Sequence, residues 1–229
     1  MKTSVIFITG STKGIGKAIA DKFEAEGHVV VRNSREAAPA YKHYVRADIG
    51  SKEGIAEIIK YFSEHDYEID TLINNAAHTK FIEHSNLIDL TDDLFNEMFN
   101  VNLKGPFLLI QGLKDFIKPT GSIINIASVA GVNAKGSNVG YCALKAGLIN
   151  LTQSLARALG PIRVNSISPG LVLTDFVKFP DGYLNNTIQQ TPVGRAGQPN
   201  DIAELAYTIT KQHYITGHNF IIDGGRTLN

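Results

Sequence analysis

The sequence predicts a doubly wound α/β fold, a parallel sheet with helices on both faces, built as a single domain over residues 1–229. Three observations predict it. Seven short apolar runs alternate with longer stretches of helical periodicity, the order of a strand–helix–strand fold. Several of those runs are apolar on consecutive residues, as strands buried on both faces must be. A glycine-rich turn joins the first run to the first helical stretch.

In chain order, strands are predicted at residues 4–9, 28–32, 44–47, 71–74, 122–127, 162–167 and 220–222. Helices are predicted at 15–25, 52–63, 92–117, 139–159 and 199–210. With 43% hydrophobic and 19% charged residues, the composition is that of an ordinary globular domain and not of a disordered chain. Lys plus Arg (22) balances Asp plus Glu (22), and no basic run interrupts the pattern. Neither nucleic acid nor a membrane surface is therefore an expected partner. The one cysteine, Cys142, excludes an intramolecular disulfide and suits a reducing compartment. The opening MKTSVIFITG reads as a buried strand and not as a signal peptide or membrane span, so the expected address is the cytoplasm.

Two connections depart from the regular pattern. Residues 33–43 leave about ten residues, Pro39 among them, for a crossover that usually needs a dozen or more. A loop or fragmentary turn is expected there. Residues 175–191 form an apolar-speckled stretch after a Pro-Gly turn and are a candidate lid.

The turn reads Thr9-Gly10-Ser11-Thr12-Lys13-Gly14-Ile15-Gly16. Glycines let the backbone bend sharply and approach a pyrophosphate, which free N–H groups at the following helix N-terminus attract. The alternative is a plain strand-to-helix connection. A Walker A loop fails, because Ile15 stands where its second glycine belongs and Ala18 where Ser or Thr should follow Lys17. The second strand runs out into Asn33-Ser34-Arg35, with no acid at those positions to bind a ribose 2′-hydroxyl. Arg35, Lys13 and the Ser34 hydroxyl suit a 2′-phosphate, so NADP(H) is preferred and NAD(H) is possible. Against this, Lys13 and Arg35 are of the types most often solvated at a surface.

Tyr141 and Lys145 lie four apart in a helical stretch and share one face. An ammonium beside a phenol lowers its pKa towards neutrality and makes it a usable acid or base. Such a pair by itself is commonly surface decoration. Ser128, however, ends the apolar strand thirteen residues before Tyr141. Ligands of open α/β sheets bind at the carboxyl ends of strands, where a serine can hold a carbonyl oxygen or merely cap a helix.

These motifs, with Asp48, Asn74-Asn75-Ala76, Asn102, Pro169-Gly170, Thr174 and Asp223-Gly224-Gly225 in order, resemble the short-chain dehydrogenase/reductase family in its compact single-domain branch. The resemblance runs over nearly the whole chain. It implies a Rossmann-type, mainly seven-stranded sheet and an oxidoreductase acting on a small-molecule carbonyl or alcohol. It implies Tyr141 as general acid in reduction and base in oxidation, and Ser128 as the group orienting substrate oxygen. Lys145 would bind the nicotinamide ribose, and Asn102 would hold a water of a proton relay. Asp48 and Ile49 would meet the adenine, Asn75 and Ala76 the adenosine ribose, and Pro169, Gly170, Val172 and Thr174 the carboxamide. No metal is implied, and none of the seven histidines has zinc-ligand spacing such as H-E-x-x-H. Similarity to 3-oxoacyl-carrier-protein reductases hardly exceeds similarity to the family at large.

The chain departs from the family in three places: Ala77 replaces a glycine, the 33–43 connection is short, and 159–163 is trimmed. Cys142 points about 100° round the helix from Tyr141 and is expected to pack internally. The stretch 175–191 offers Phe176, Val177, Phe179, Tyr183, Leu184 and Ile188 as an apolar cover for a substrate. The family's assembly habit implies a homo-oligomer, tetramer or dimer, although Leu103, Phe107, Leu148 and Leu151 suit a core equally. A catalytically idle nucleotide sensor is the alternative, and the joint presence of Tyr141, Lys145, Ser128 and Asn102 argues against it. A lyase or epimerase usually carries a C-terminal substrate domain, and only a short tail follows the last strand.

Overall fold

A computed structural model describes residues 3–37 and 41–228. Alternating apolar runs and helices fold as β1 (Val5–Ile8), α1 (Gly14–Ala25), β2 (Val29–Ser34), β3 (Tyr44–Arg46), α2 (Lys52–His65) and β4 (Ile69–Asn74). They continue as α3 (Asp92–Phe99), α4 (Gly105–Leu113), β5 (Ile117–Ile126), α5 (Ala130–Asn133) and α6 (Val139–Ala158). The chain closes with β6 (Arg163–Pro169), α7 (Tyr183–Gln189), α8 (Pro199–Lys211) and β7 (Asn219–Ile222). The seven strands form one sheet in the order β3-β2-β1-β4-β5-β6-β7, parallel throughout. This is the Rossmann-type fold expected from the sequence.

Consecutive apolar residues in a strand serve opposite faces. In β1, Phe7 joins the core with Ile58, Phe62 and Leu109 from α2 and α4, while Ile6 and Ile8 join Ile19, Phe23 and Ala206 from α1 and α8. In β5, Ile123 and Ile124 divide in the same way. The period of two thus buries both faces and leaves the strand ends to carry chemistry.

The helix expected over 92–117 is broken. A π-helical turn, Asn100–Lys104, separates α3 from α4, and a 3-10 turn, Lys114–Phe116, ends the run. Ile117 belongs instead to β5, paired with Ile69, so that strand is longer than the predicted 122–127. α5 and α7, of four and seven residues, were not anticipated, being too short for a periodic signal. Between β2 and β3, residues 35–37 and 41–43 contain no helix or strand, while Pro39 lies outside the described residues. Leu148 belongs to this chain's own core, whereas Phe95, Phe99 and Phe107 on α3 and α4 are partly exposed. Among the described residues, no helix is long and apolar enough to cross a membrane.

Candidate active site

A long cleft runs over the carboxyl ends of the strands, from Arg35 at one end to Tyr183 and Arg226 at the other. Its middle begins at the glycine turn. Gly10 and Gly14 take φ of +63° and +56°, values that side chains with a Cβ rarely adopt. A Cβ at Gly16 would lie 2.3 Å from the Gly10 carbonyl oxygen and 2.4 Å from Asn75 Nδ2, so α1 can seat against the turn only with glycine there. The Thr9 hydroxyl accepts from the N–H groups of Asn75 and Ala76, both at 3.0 Å. Asn75 Nδ2 returns bonds of 3.0 Å to the carbonyls of Thr9 and Gly10. The ends of β1 and β4 are thereby stitched into one rim.

At the start of α1 no side chain caps the first turn, and that turn contains no acid. Its N–H groups and the positive end of the helix dipole are left for an anion. Thr174 closes over the same point, its Cγ2 lying 3.4 Å from where a Cβ on Gly14 would sit. An open glycine cradle beside an uncapped helix fits the pyrophosphate of a dinucleotide.

Of the sequence-predicted cofactor positions, Gly10, Thr12, Lys13, Gly14, Ile15, Ser34, Arg35, Asp48, Ile49, Asn75, Ala76, Pro169, Gly170, Val172 and Thr174 line the cleft. Ser11 and Gly16 do not. Ser11 is fully buried, its hydroxyl donating to the Ile8 carbonyl and accepting from Asn33 N, both at 2.9 Å, so it braces the turn from behind. Ser34 lines the wall, but its hydroxyl is shared with Tyr44 Oη at 2.7 Å. Lys13 Nζ lies 3.5 Å from Glu36, and Arg35 lies 4.0 Å from Asp48. Glu36, one residue past the stretch read in the sequence, adds an acid to this end. Ala77 lines the cleft with no positive φ, so its backbone tolerates the methyl.

Ser128, Tyr141 and Lys145 meet in the middle of the cleft. Ser128 follows the end of β5; its hydroxyl accepts from Ala130 N at 3.1 Å and stands near enough to the Tyr141 phenol to favour its ionised form. Tyr141 is aimed by the start of α6. The Asn138 side-chain oxygen accepts from Tyr141 N at 2.7 Å, while its amide donates to Thr79 Oγ1 and the Lys80 carbonyl. Asn138 is a positioning residue that sequence reading missed; an Asn three residues before Tyr141 was a visible N-cap signal. Lys145 is fully buried and donates to the Ile126 carbonyl at 2.8 Å, with Nζ 5.6 Å from the centre of the Tyr141 ring.

Burial sets the protonation states here. It pushes the Tyr141 phenol above its ordinary range, against the lowering effect of Ser128. It brings the Lys145 ammonium down to about 7. The four-residue spacing alone predicts an ammonium that draws the phenol towards neutrality. Desolvation reverses that direction: the phenol is itself buried, and the lysine head, held by a carbonyl, is weakened as a cation by the same burial. The phenol is consequently protonated at neutral pH, the state a proton donor needs.

Asn102 does not line the cleft. Its amide donates to the carbonyls of His78 at 2.7 Å and Met98 at 2.8 Å, and its oxygen accepts from His78 N. The π-turn around it displaces the helical ladder and turns this side chain onto the strand-end loop after β4. Cys142 is buried among Met98, Ala130 and Leu144, off the cleft, and burial raises its thiol pKa. In the lid stretch, Phe179 stacks on Tyr183 at 4.6 Å and both meet Phe81 edge-on, while Phe176 stands 6.4 Å from the Tyr141 ring. Phe81 carried no signal in the sequence, since only tertiary folding brings it to α7. Among the described residues, no three His, Cys, Asp or Glu side chains cluster to hold a metal ion.

Comparison with known proteins agrees with this geometry. The family whose sequence model is described as Enoyl-(Acyl carrier protein) reductase matches residues 10–227. The chain is 34% identical to a 3-oxoacyl-[acyl-carrier-protein] reductase of Aquifex aeolicus, over 98% of each chain. It is also 34% identical to an NAD-dependent glycerol dehydrogenase of Listeria innocua, over 98% of this chain and 94% of that one. A short-chain dehydrogenase from Leptospira borgpetersenii, solved with bound NAD+, superposes with a TM-score of 0.88 at 32% identity, covering 99% of this chain and 94% of that one. The chain belongs to the short-chain dehydrogenase/reductase family, and is an oxidoreductase acting on carbonyl or alcohol groups with a nicotinamide cofactor.

Proposed function

We propose that this chain, as one domain carrying both cofactor and substrate sites, reduces a carbonyl with NADP(H) or oxidises the matching secondary alcohol. The observation that carries the reading is the meeting of Ser128, Tyr141 and Lys145 in a cleft continuous with the glycine cradle. The bound nicotinamide supplies or accepts the hydride. Ser128 holds the substrate oxygen by hydrogen bond, and Tyr141 Oη donates the proton to that oxygen in reduction and takes it back in oxidation. Lys145 holds the cofactor's ribose hydroxyls, and on gaining those partners its charged form becomes favourable. Asn102 acts as a positioning residue, its side chain tying the π-turn to the loop after β4 through His78 and Met98. Phe176, Phe179 and Tyr183 exclude water from the reacting carbonyl.

Preference for NADP(H) over NAD(H) rests on Lys13 and Arg35. Their acid partners stand at 3.5 and 4.0 Å on a mostly exposed rim, so a phosphate dianion displaces weak pairs and not tight ones. The two relatives above whose coenzyme is named use NAD, and a direct comparison of NADPH with NADH tests the point. The partly exposed Phe95, Phe99 and Phe107 support a homo-oligomer.

A panel of ketones and aldehydes, followed by the absorbance of reduced nicotinamide, tests the reaction. Tyr141→Phe should lower kcat by about 10²–10⁴-fold while NADPH affinity stays within a few-fold, because it removes the proton donor alone. Retained turnover in that variant would remove Tyr141 from the chemistry.

A further inference from the structure

The two ends of the cleft treat charge differently. Near β2 and β3, Lys13 and Arg35 each have a carboxylate close by. At the other end Arg226 lines the cleft from the 3-10 turn Arg226–Leu228 that follows β7. It is half-buried, and no carboxylate among the described residues lies within ion-pair distance of its guanidinium.

Its backbone is firmly placed. The Asp223 carboxylate accepts from Gly225 N at 2.9 Å and Thr227 N at 2.7 Å. Gly170 N donates to the Ile222 carbonyl at 2.9 Å, and Val193 N to the Gly224 carbonyl at 3.1 Å. The turn carrying Arg226 is thus clamped between the Pro169-Gly170 turn and the segment that ends the lid.

Sheet order locates it against the chemistry. β7 lies two strands beyond β5, after which Ser128 stands, and four beyond β1, after which the phosphate cradle stands. Arg226 thus enters the cleft from the sheet edge opposite Lys13 and Arg35, beside the Pro169-Gly170 turn, whose Gly170 N bonds the Ile222 carbonyl. A half-buried cation with no counterion among the described residues favours an anionic ligand, and the planar guanidinium matches a carboxylate in two parallel hydrogen bonds.

We propose that Arg226 is a specificity-determining residue and that the substrate is an oxo-acid or its hydroxy-acid counterpart. The carbonyl lies at Ser128 and Tyr141, the carboxylate lies at Arg226, and the apolar chain between them packs on Phe176, Phe179 and Tyr183. This rests on the carbonyl-reductase reading above. Asp175 also lines this end of the cleft, and a latch between Asp175 and Arg226 on lid closure is the competing role for the same side chain.

The test compares oxo-acids of increasing chain length with their methyl esters, each with NADPH. The wild type should favour an acid of matching length by about tenfold or more in kcat/KM. Arg226→Gln should erase that preference through a raised KM for the acid, with ester kinetics unchanged, and Arg226→Lys should restore part of it. Equal use of acid and ester, or an Arg226→Gln defect that falls alike on both and is reproduced by Asp175→Asn, would overturn the proposal and leave the reductase reading intact. Should neither series, nor the wider panel of ketones and aldehydes, turn over, the reductase reading fails. Quenching of bound-NADPH fluorescence by the acid then still decides the anchor: binding to wild type and not to Arg226→Gln supports it, and equal binding overturns it.

Discussion

Behind the glycine turn, a buried guanidinium makes a sharp energetic prediction. Arg32 is 1% exposed. Its Nη2 donates to Asp21 at 2.6 Å and Glu24 at 2.9 Å, its Nε to Glu24 at 3.1 Å, and its Nη1 to the Ser11 carbonyl at 2.9 Å. Burial opposes the charge, yet the hydrogen bonds of Glu24 and Asp21 outweigh it and raise the Arg32 pKa. The two acids are themselves 45–46% exposed. Asp21→Asn or Glu24→Gln alone removes one half-exposed ion pair and leaves the other, a loss of about 1 kcal/mol each. Removing both leaves a buried charge without a counterion, at about 3–5 kcal/mol. The pair should therefore be non-additive by about 1–3 kcal/mol. For a chain of this size each kcal/mol moves Tm by about 2–4 °C, so the singles fall by a few degrees and the double by about 10 °C. Equilibrium urea unfolding of wild type, both singles and the double closes the cycle. A double variant within about 0.5 kcal/mol of the sum of the singles would refute the claim that Arg32 stays charged and buried.

Three further outcomes follow from the same geometry. Lys145→Met should stabilise the fold, most strongly below pH 7. The native pKa of about 7 lies below that of an unfolded lysine, so the penalty of charging it is full below 7 and fades as pH rises towards 10. A pH-independent gain in Tm would contradict the burial argument. Arg35→Asp should move the NADPH-to-NADH ratio of kcat/KM towards NADH by more than about tenfold, since an acid repels a 2′-phosphate; unchanged selectivity would take Arg35 out of coenzyme choice. Phe179→Ala, which breaks the stack on Tyr183, should raise KM several-fold for a substrate with an apolar chain and leave kcat nearly constant. Steady-state kinetics on one long and one short substrate would show it, and equal effects on both would place Phe179 outside the substrate path.

Much of this molecule was legible in the order of its residues. Runs apolar on consecutive positions announce strands buried on both faces, which is why the seven strands of the parallel sheet could be named before their neighbours were known. Gly10, Gly14 and Gly16 announce a turn through a local backbone requirement, and Tyr141 with Lys145 share a helix face by spacing alone. Each of these signals is local, spanning no more than a turn or a strand. What the sequence could not determine depends on partners far apart in the chain. Asn102 faces the loop after β4 because a π-turn rotates it there, and that turn has no periodic signature. Arg32 carries no local sign of its burial, since only the packing of α1 brings Asp21 and Glu24 over it. The direction of the Tyr141 and Lys145 shifts was likewise beyond the sequence, since spacing reports proximity, whereas desolvation depends on the whole fold closing around both groups. Arg226 reaches the cleft only because the last strand lies beside β6, so its place there belongs to the tertiary structure alone.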